Sequence, residues 1–476
     1  VLVIMGFTMI ITFMVLIMTK KLTPMVALIL VPTVFGLFVG AGMGLGEMVL
    51  EAIGRLAPTA ALLMFAIIYF GLMIDVGLFD PLVRFIVKTL GHDPARVVLG
   101  TAILAAAVSL DGDGSTTFIV TTAAMLPLYI RLGMSPVVLT CVAGLANGTL
   151  NIIPWGGPTV RAAAALNVSP TDVFVPMIPS LVAGLVVMFI FAWFLGLSER
   201  KRLGSLAPFN SDQVTQEEVL SRFAGLPPFT RGDTQRLAHS NPEELSTQSV
   251  LINEDKSVMT DTMLDPSRET LRPGLIWFNL VLTLAVMGML ITDLVPLPYV
   301  FMVGSAIALV VNFPGLKQQS RAIVAHAPSV VGVVSMVLAA GVLIGVLNGT
   351  GMVAAMSSWL VTAIPDTFGP FLAVITGILS IPMTFFMSND AFYFGMLPVL
   401  AESASSFGIA PVEMARASII GQPVHLQSPL VPAILLLVSL ANVNLGDHHR
   451  KVLWRAVVIS LVMLGVGLLI GVIPLG

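Results

Sequence analysis

Charge is what this chain has least of. Asp, Glu, Lys and Arg make up 10% of its 476 residues, against roughly 25% in a soluble domain. That scarcity excludes an ordinary soluble fold. With a formal net charge of −3 it also removes the basic face that a nucleic-acid partner would need. Cysteine is nearly absent as well. The one thiol, Cys141, sits in an apolar run, so there is no disulfide framework and the redox compartment cannot be read. No phosphate-binding glycine loop, zinc spacing or nucleophilic triad is present, which leaves no enzyme chemistry to assign. What is present is apolar: 57% hydrophobic residues and a mean hydropathy of +0.98. The composition is that of an all-α polytopic membrane protein whose main partner is the lipid bilayer.

The few charges are gathered. Glu199–Pro273 holds 9 Lys/Arg and 12 Asp/Glu, leaving 14 of each sign for the other 401 positions. This stretch reads as a loosely ordered linker, with one short amphipathic helix around Gln216–Phe223. It divides the chain into 1–198 and 274–476.

A span needs about 20 apolar residues. Spans fall near Val1–Met18, Pro24–Ala41, Thr59–Phe79, Pro136–Leu166 and Val173–Leu197. After the linker they fall near Gly274–Pro296, Tyr299–Val311, Ser329–Thr350, Pro411–Val443 and Val452–Ile473. That makes about ten crossings. Val1–Met18 has no basic stretch before it and no small-residue cleavage site, so it reads as a helix and not as a signal peptide.

Two apolar regions do not fit as single spans. Val97–Leu110 and Ser115–Ile130 are separated only by Asp-Gly-Asp-Gly. An arm of about 14 residues rises about 21 Å, short of the roughly 30 Å hydrocarbon core. These arms predict a re-entrant hairpin over 97–131. Pro370–Met387 and Ala391–Leu400 predict a second, over 370–405, with Ser388-Asn389-Asp390 at its tip. Two spans are themselves interrupted: 136–166 at NIIPWGGPT (Asn151–Thr159), and 411–443 at GQPVHLQSP (Gly421–Pro429). Non-helical backbone at membrane depth survives only where protein buries it or where it lines a cavity. Matching interruptions in two halves point to a secondary transporter's binding site.

Short repeats tie the halves together. Met125-Leu126-Pro127 recurs as Met396-Leu397-Pro398, Gly133-x-x-Pro136 as Gly408-x-x-Pro411, and Pro154 as Pro429. Five crossings is an odd number, so the second copy is inserted upside down. Lys20, Lys21, Arg84, Lys88, Arg96, Arg131, the linker, Lys317, Arg321, Arg450, Lys451 and Arg455 then share one side, and only Arg55 and Arg416 the other. The basic side is cytoplasmic. Both termini therefore face outward from a cell membrane, and the linker lies inside.

The breaks carry the candidate chemistry. Half-helix N-termini attract anions, and Pro158 and Pro429 stand where such helices would start. Gly156 and Gly157 allow close backbone approach. Asn147, Asn151, Thr159, Gln422, Gln427 and Ser428 add polar groups suited to an anion with several oxygens. Arg161 is the only basic residue between Arg131 and Arg200; it either clamps a carboxylate or pairs internally. Asp111 and Asp113 share one hairpin tip, where they either contact a hard divalent cation, carry a proton or simply shape the turn. The substrate-binding set also takes in Ser115 and Thr116 at the first tip, and Ser388 and Asn389 at the second. His425 is a candidate proton carrier or a neutral hydrogen-bonding residue. Asp75, in YFGLMIDVGLF, either relays protons or pairs with a polar neighbour. His448-His449 read as a cytoplasmic loop.

At SLDGDGSTTFIVT (Ser109–Thr121) and NIIPWGGPT the chain strongly resembles the citrate–divalent metal/proton symporters, the CitMHS family of the ion transporter superfamily. The opening FTMIITFMVLIMTKKLTPMVALILVP (Phe7–Pro32) resembles that family too. The resemblance implies uptake of citrate complexed with a divalent cation (Mg or Ca), coupled to protons. It also implies scaffold and transport domains, an elevator-like mechanism and a homodimer. Asp111, Asp113 or Asp390 would meet the metal, and one of Asp111, Asp113 and His425 would carry the proton. Sodium-coupled dicarboxylate relatives carry Ser-Asn-Thr at both tips. This chain departs from them, which argues against their sodium sites here. The other readings are a transporter of a dicarboxylate or gluconate without metal, and an anion channel on the same scaffold.

Overall fold

The computed structural model describes residues 1–19, 21–89, 93–112, 114–204, 268–292, 295–365 and 367–476. Asp113 and the helix expected around Gln216–Phe223 lie outside the described residues. Every regular element among the described residues is a helix. The first half runs α1 (Leu2–Met18), α2 (Pro24–Phe38), α3 (Leu45–Asp75), α4 (Asp80–Thr89), α5 (Pro94–Val108), α6 (Gly114–Arg131), α7 (Pro136–Leu150), α8 (Gly157–Leu166), α9 (Pro170–Phe174) and α10 (Ile178–Gly204). The second half opens with α11 (Ile276–Thr292), α12 (Leu297–Asn312), α13 (Leu316–Ala325), α14 (Ala327–Gly349), α15 (Met352–Ala363) and α16 (Leu372–Phe386). A π-helical segment, Ala391–Met396, then leads into α17 (Leu397–Ser405). The chain closes with α18 (Pro411–Ser418), α19 (Gln422–His425), α20 (Pro432–Leu440) and α21 (Leu445–Leu469).

Six stretches among the described residues are long and apolar enough to cross a bilayer: Gly42–Asp75, Pro94–Asp111, Pro170–Gly204, Ala327–Gly349, Gly369–Phe386 and Leu445–Leu469. Shorter apolar helices accompany them, among them α15 in a region the sequence reading leaves unassigned. Helix α10 shows why such a helix suits lipid. Val182, Val186, Ile190 and Phe194 are exposed at a spacing of four residues, which aligns them on one helix face.

The hairpin arms are longer than their apolar runs. With its closing 3-10 turn, the α5 arm covers Pro94–Asp111, 18 residues, a rise of about 27 Å. It starts earlier because Asp93 caps it, accepting a hydrogen bond from the Ala95 N–H, and Pro94 fits the first turn. Arm length alone therefore does not decide between crossing and re-entry.

The first break falls where the sequence places it, between Leu150 and Gly157. The second is displaced. α18 continues through a 3-10 turn, Ile419–Gly421, into α19, and the next helix starts at Pro432 and not at Pro429. Val431 before it is extended (φ −91°, ψ 112°), as a residue preceding proline prefers. Pro423 sits in the first turn of α19, where its missing N–H costs little. Gln422 and His425 thus belong to the helical arm before the break, and Gln427 and Ser428 to the break itself.

Two groups of helices form. In one, α3 packs on α12 and α14, α14 on α2, and α1 on α15. The other gathers α5–α10 with α16–α21. They meet most extensively where α15 packs on α17, with Ser403 Oγ 3.3 Å from Ser357 Oγ, and also where α3 touches α8 and where α1 and α14 touch the π segment. Within the second group, α7 crosses α19 closely because Gly148 faces Pro423, while Gly144, one turn earlier, faces Gln427 in the break just beyond α19. A Cβ on Gly148 would lie 3.0 Å from the Pro423 Cα. Small residues four apart are the usual means of close helix approach in lipid. Asp75 pairs with His326, Oδ2 to Nε2 at 3.0 Å, inside the first group.

Candidate functional site

The first hairpin tip is bolted to the first break. Gly112 turns the chain at φ +78°, a conformation that suits glycine. A Cβ there would meet the Trp155 ring at 3.1 Å. The Trp155 indole N–H donates to the Leu110 carbonyl at 2.8 Å. The Asn147 amide donates to Ser109 Oγ at 3.0 Å and to Thr117 Oγ1 at 3.3 Å. Its Oδ1 is buried and has no partner among the described residues, with Gly114 directly beside it. Asp111 is buried at the tip, and Ser115 and Thr116 open α6, half-buried. Trp155 also stacks on Phe70 of α3, and Phe301 of α12 meets it edge-on, both at 5.5 Å. The break therefore leans on the first helix group.

The break itself is made possible by two glycines. A Cβ on Gly156 would lie 2.5 Å from the Asn151 carbonyl oxygen, and one on Gly157 would lie 2.6 Å from Arg161 Nη1. Thr159 Oγ1 closes the loop by donating to the Ile152 carbonyl at 2.7 Å. Arg161, one turn into α8, donates through Nε to Asp390 Oδ1 at 2.7 Å. The two side chains are only 15% and 11% exposed. One ion pair thus joins the first break to the second hairpin tip. A neutral chain runs beside it. Asn151 Nδ2 donates to Gln422 Oε1 at 3.1 Å. Gln422 Nε2 donates in turn to Asn389 Oδ1 at 3.2 Å and to the Tyr393 hydroxyl at 2.8 Å.

At the second tip Ser388 acts as a cap, its Oγ accepting from the Ala391 N–H at 3.2 Å. The π segment starts at the next residue after Asp390. The second break is held on every side. His425 Nδ1 donates to the Thr384 carbonyl at 2.5 Å, and Ser428 Oγ to the Phe385 carbonyl at 2.6 Å. Gln427 Nε2 donates to the Gly144 and Pro423 carbonyls, each at 3.0 Å. His448 Nε2 donates to Gln427 Oε1 at 3.1 Å, and His449 Nε2 to the Gln427 carbonyl at 2.7 Å. The two histidines are therefore not a cytoplasmic loop. They lie in α21, which Asn444 caps through the Gly446 N–H, and His448 is fully buried.

The predicted residues thus separate by surroundings. Arg161, Asp390, Asn151, Gln422 and Asn389 form one connected cluster. Asp111, Ser115, Thr116 and Asn147 gather at the first tip, which reaches the second break through Gly114, packed near Leu426 and Ala433. Gln427 and Ser428 are fully buried and spend their polar groups inside the protein. Sequence reading misses Trp155, Tyr393, Ser109, Thr117 and His448. Trp155 lies inside NIIPWGGPT, and Ser109 and Thr117 inside SLDGDGSTTFIVT, so these three carried a readable signal; Tyr393 looks like an ordinary helix residue, and His448 like part of a loop.

No group of three or more His, Cys, Asp and Glu side chains suited to a metal ion occurs among the described residues. Cavities also open at the far end of α8. One, of about 590 Å³, is bordered by Asn167, Asp172, Pro411 and Arg416. Another, of about 170 Å³, lies between Ala164 and Ala165 of α8, Arg55 of α3 and Asn348 of α14.

A family model described as a citrate transporter, CitMHS, matches residues 5–421. A citrate transporter of Bacillus subtilis (strain 168) is 47% identical over 470 residues, covering 99% of each chain. A Mg(2+)/citrate complex secondary transporter of the same organism is 44% identical over 473 residues, again covering 99% of each. Among solved structures, the Alcanivorax borkumensis YdaH transporter aligns with 91% of this chain and 90% of its own, at 14% identity and a TM-score of 0.48.

Proposed function

Given that the chain belongs to the citrate transporter family CitMHS, we propose that it carries citrate as a complex with a divalent cation, magnesium or calcium, in symport with protons. The observation that carries this reading is the Arg161–Asp390 pair at the meeting point of a broken helix and a hairpin tip. Fully ionised citrate with one divalent cation keeps a charge of about −1 and exposed carboxylates. Arg161 and the N-terminus of α8 suit those carboxylates. Asp111, Asp113 and Asp390 offer the hard oxygen ligands that magnesium and calcium prefer. Asp111, Asp113 or His425 takes the proton.

The same reading covers the architecture. Residues 1–198 and 274–476 are inverted repeats joined by a cytoplasmic linker, with both termini outside the cell membrane. The two hairpins are re-entrant. The first helix group is the scaffold, where a homodimer forms, and the second is the transport domain of an elevator. Two relations support a repeat. Asn147 and Gln422 are 275 positions apart, and each amide hydrogen-bonds the hairpin of its own half. The outgoing arm of each hairpin packs on the helix that follows the other half's break, α6 on α20 and the π segment on α8.

The test is labelled-citrate uptake into proteoliposomes across a panel of divalent ions, with and without a proton gradient. Uptake should require a divalent ion and rise with the gradient. Uptake indifferent to magnesium and calcium removes the metal complex from the reading, and indifference to the gradient removes the proton. Arg161→Ala should reduce uptake to background; near-normal affinity in that variant would end the carboxylate role.

A further inference from the structure

Among the described residues, the second helix group contains one largely buried ion pair between its halves, and no other charged side chain is hydrogen-bonded to it. Asn151, Gln422, Asn389 and Tyr393, which form the adjoining network, are all neutral. Breaking such a pair strands both members, because a buried charge without a partner is strongly disfavoured. A carboxylate that captures Arg161 leaves Asp390 uncompensated and faces it as a like charge. A cation that captures Asp390 strands the guanidinium in the same way.

We propose that Arg161 and Asp390 select the cargo by partner exchange, each giving up the other only for an opposite charge that the cargo brings. This rests on the cargo reading above and deepens it. It assigns the preference for a complex to a single pair of residues. Arg161 moves onto a citrate carboxylate while Asp390 moves onto the divalent cation of the same complex, and no buried charge is left alone. Two features of the fold allow the exchange. Gly157 leaves the guanidinium room against the start of α8. The π segment directly after Asp390 has looser hydrogen-bond registry than an α-helix, a common device at functional sites, and lets the tip shift without unwinding.

The experiment is a binding titration on the purified full chain, read as thermal stabilisation, with citrate plus chelator, magnesium alone, and magnesium with citrate. Wild type should bind the complex at least tenfold more tightly than free citrate. In Asp390→Asn that ratio should fall to within about twofold, because free citrate no longer meets a stranded carboxylate. Asp390→Glu, which keeps the charge, should retain the preference. A tenfold ratio surviving in Asp390→Asn overturns the proposal while leaving the metal–citrate reading intact. Equal binding of both forms by wild type overturns the reading itself. Should Asp390→Asn not fold, Arg161→Gln combined with Asp390→Asn removes both charges together. The same collapse of the ratio supports the exchange, and a retained ratio overturns it.

Discussion

In the first break the backbone is glycine and the side chain just beyond it is an arginine; in the second, the side chains are an amide and a hydroxyl, both turned inward. Each half pairs a broken helix with a helical hairpin, yet their polar groups are spent differently. Gln427 alone is held by Gly144, Pro423, His448 and His449. Such a fully satisfied buried network fixes one geometry. The first break instead holds its cation with one carboxylate contributed by the other half, an arrangement a ligand can take over. If the cargo reading holds, the first break is the ligand-facing surface and the second its rigid support.

The sharpest way to break this comparison is Gly157→Ala. The added Cβ would lie 2.6 Å from Arg161 Nη1, and the guanidinium, as the free end of a long side chain, must move. Alanine is also the better helix former, by up to about 1 kcal/mol, so the fold should hold. The expected result is citrate affinity weakened at least tenfold with little change in melting temperature. Unchanged affinity would make the first break as purely structural as the second.

His448→Leu probes the other side. It leaves the Gln427 Oε1 buried without its imidazole donor. An unsatisfied buried acceptor costs about 1–3 kcal/mol, so the melting temperature should fall while citrate affinity changes less than about threefold. A loss of affinity at constant stability would restore Gln427 as a direct ligand, as its position in the sequence first suggests.

The sequence makes the breaks visible because proline and glycine act locally. Pro154, Gly156, Gly157 and Pro158, crowded into five positions, together disfavour an unbroken helix, and Arg161 stands out by the absence of any other nearby cation. What one sequence cannot supply is partnership. Arg161 and Asp390 are 229 positions apart, and nothing local says that the candidate carboxylate clamp and the candidate metal ligand hold each other. The displaced second break has a local cause. Pro423 and Pro429 look equivalent, but Pro423 is absorbed at a helix start, so the restart passes to Pro432. His448 and His449 mislead because Gly-Asp-His-His-Arg-Lys has a loop's composition. Burial of His448 against Thr140 and Gln427 is set by elements far away in the chain.

The smallest expected effect lies at the hairpin roots, where the halves differ again. Gly369, at the second root, sits beneath the Phe407 ring, an apolar contact so close that a Cβ would collide with it. The first root is clamped by charge. Arg200 holds Asp93 through Nε at 2.9 Å and Nη2 at 2.5 Å. That hydrogen-bonded guanidinium holds the Asp93 carboxyl below its usual range, helped by the Ala95 N–H and by the charge of Arg96. A carboxyl depressed in the folded state contributes stability above its unfolded value of about 3.9 and loses it as pH falls through the folded value. Both side chains are partly exposed, so the contribution stays below about 1 kcal/mol. Asp93→Asn should therefore melt slightly below wild type at neutral pH, and the two curves should converge as the pH drops below the ordinary carboxylate range. A gap that persists into acid would mean that Asp93 acts as a helix cap alone, and the charge asymmetry between the two roots would then carry no energetic weight.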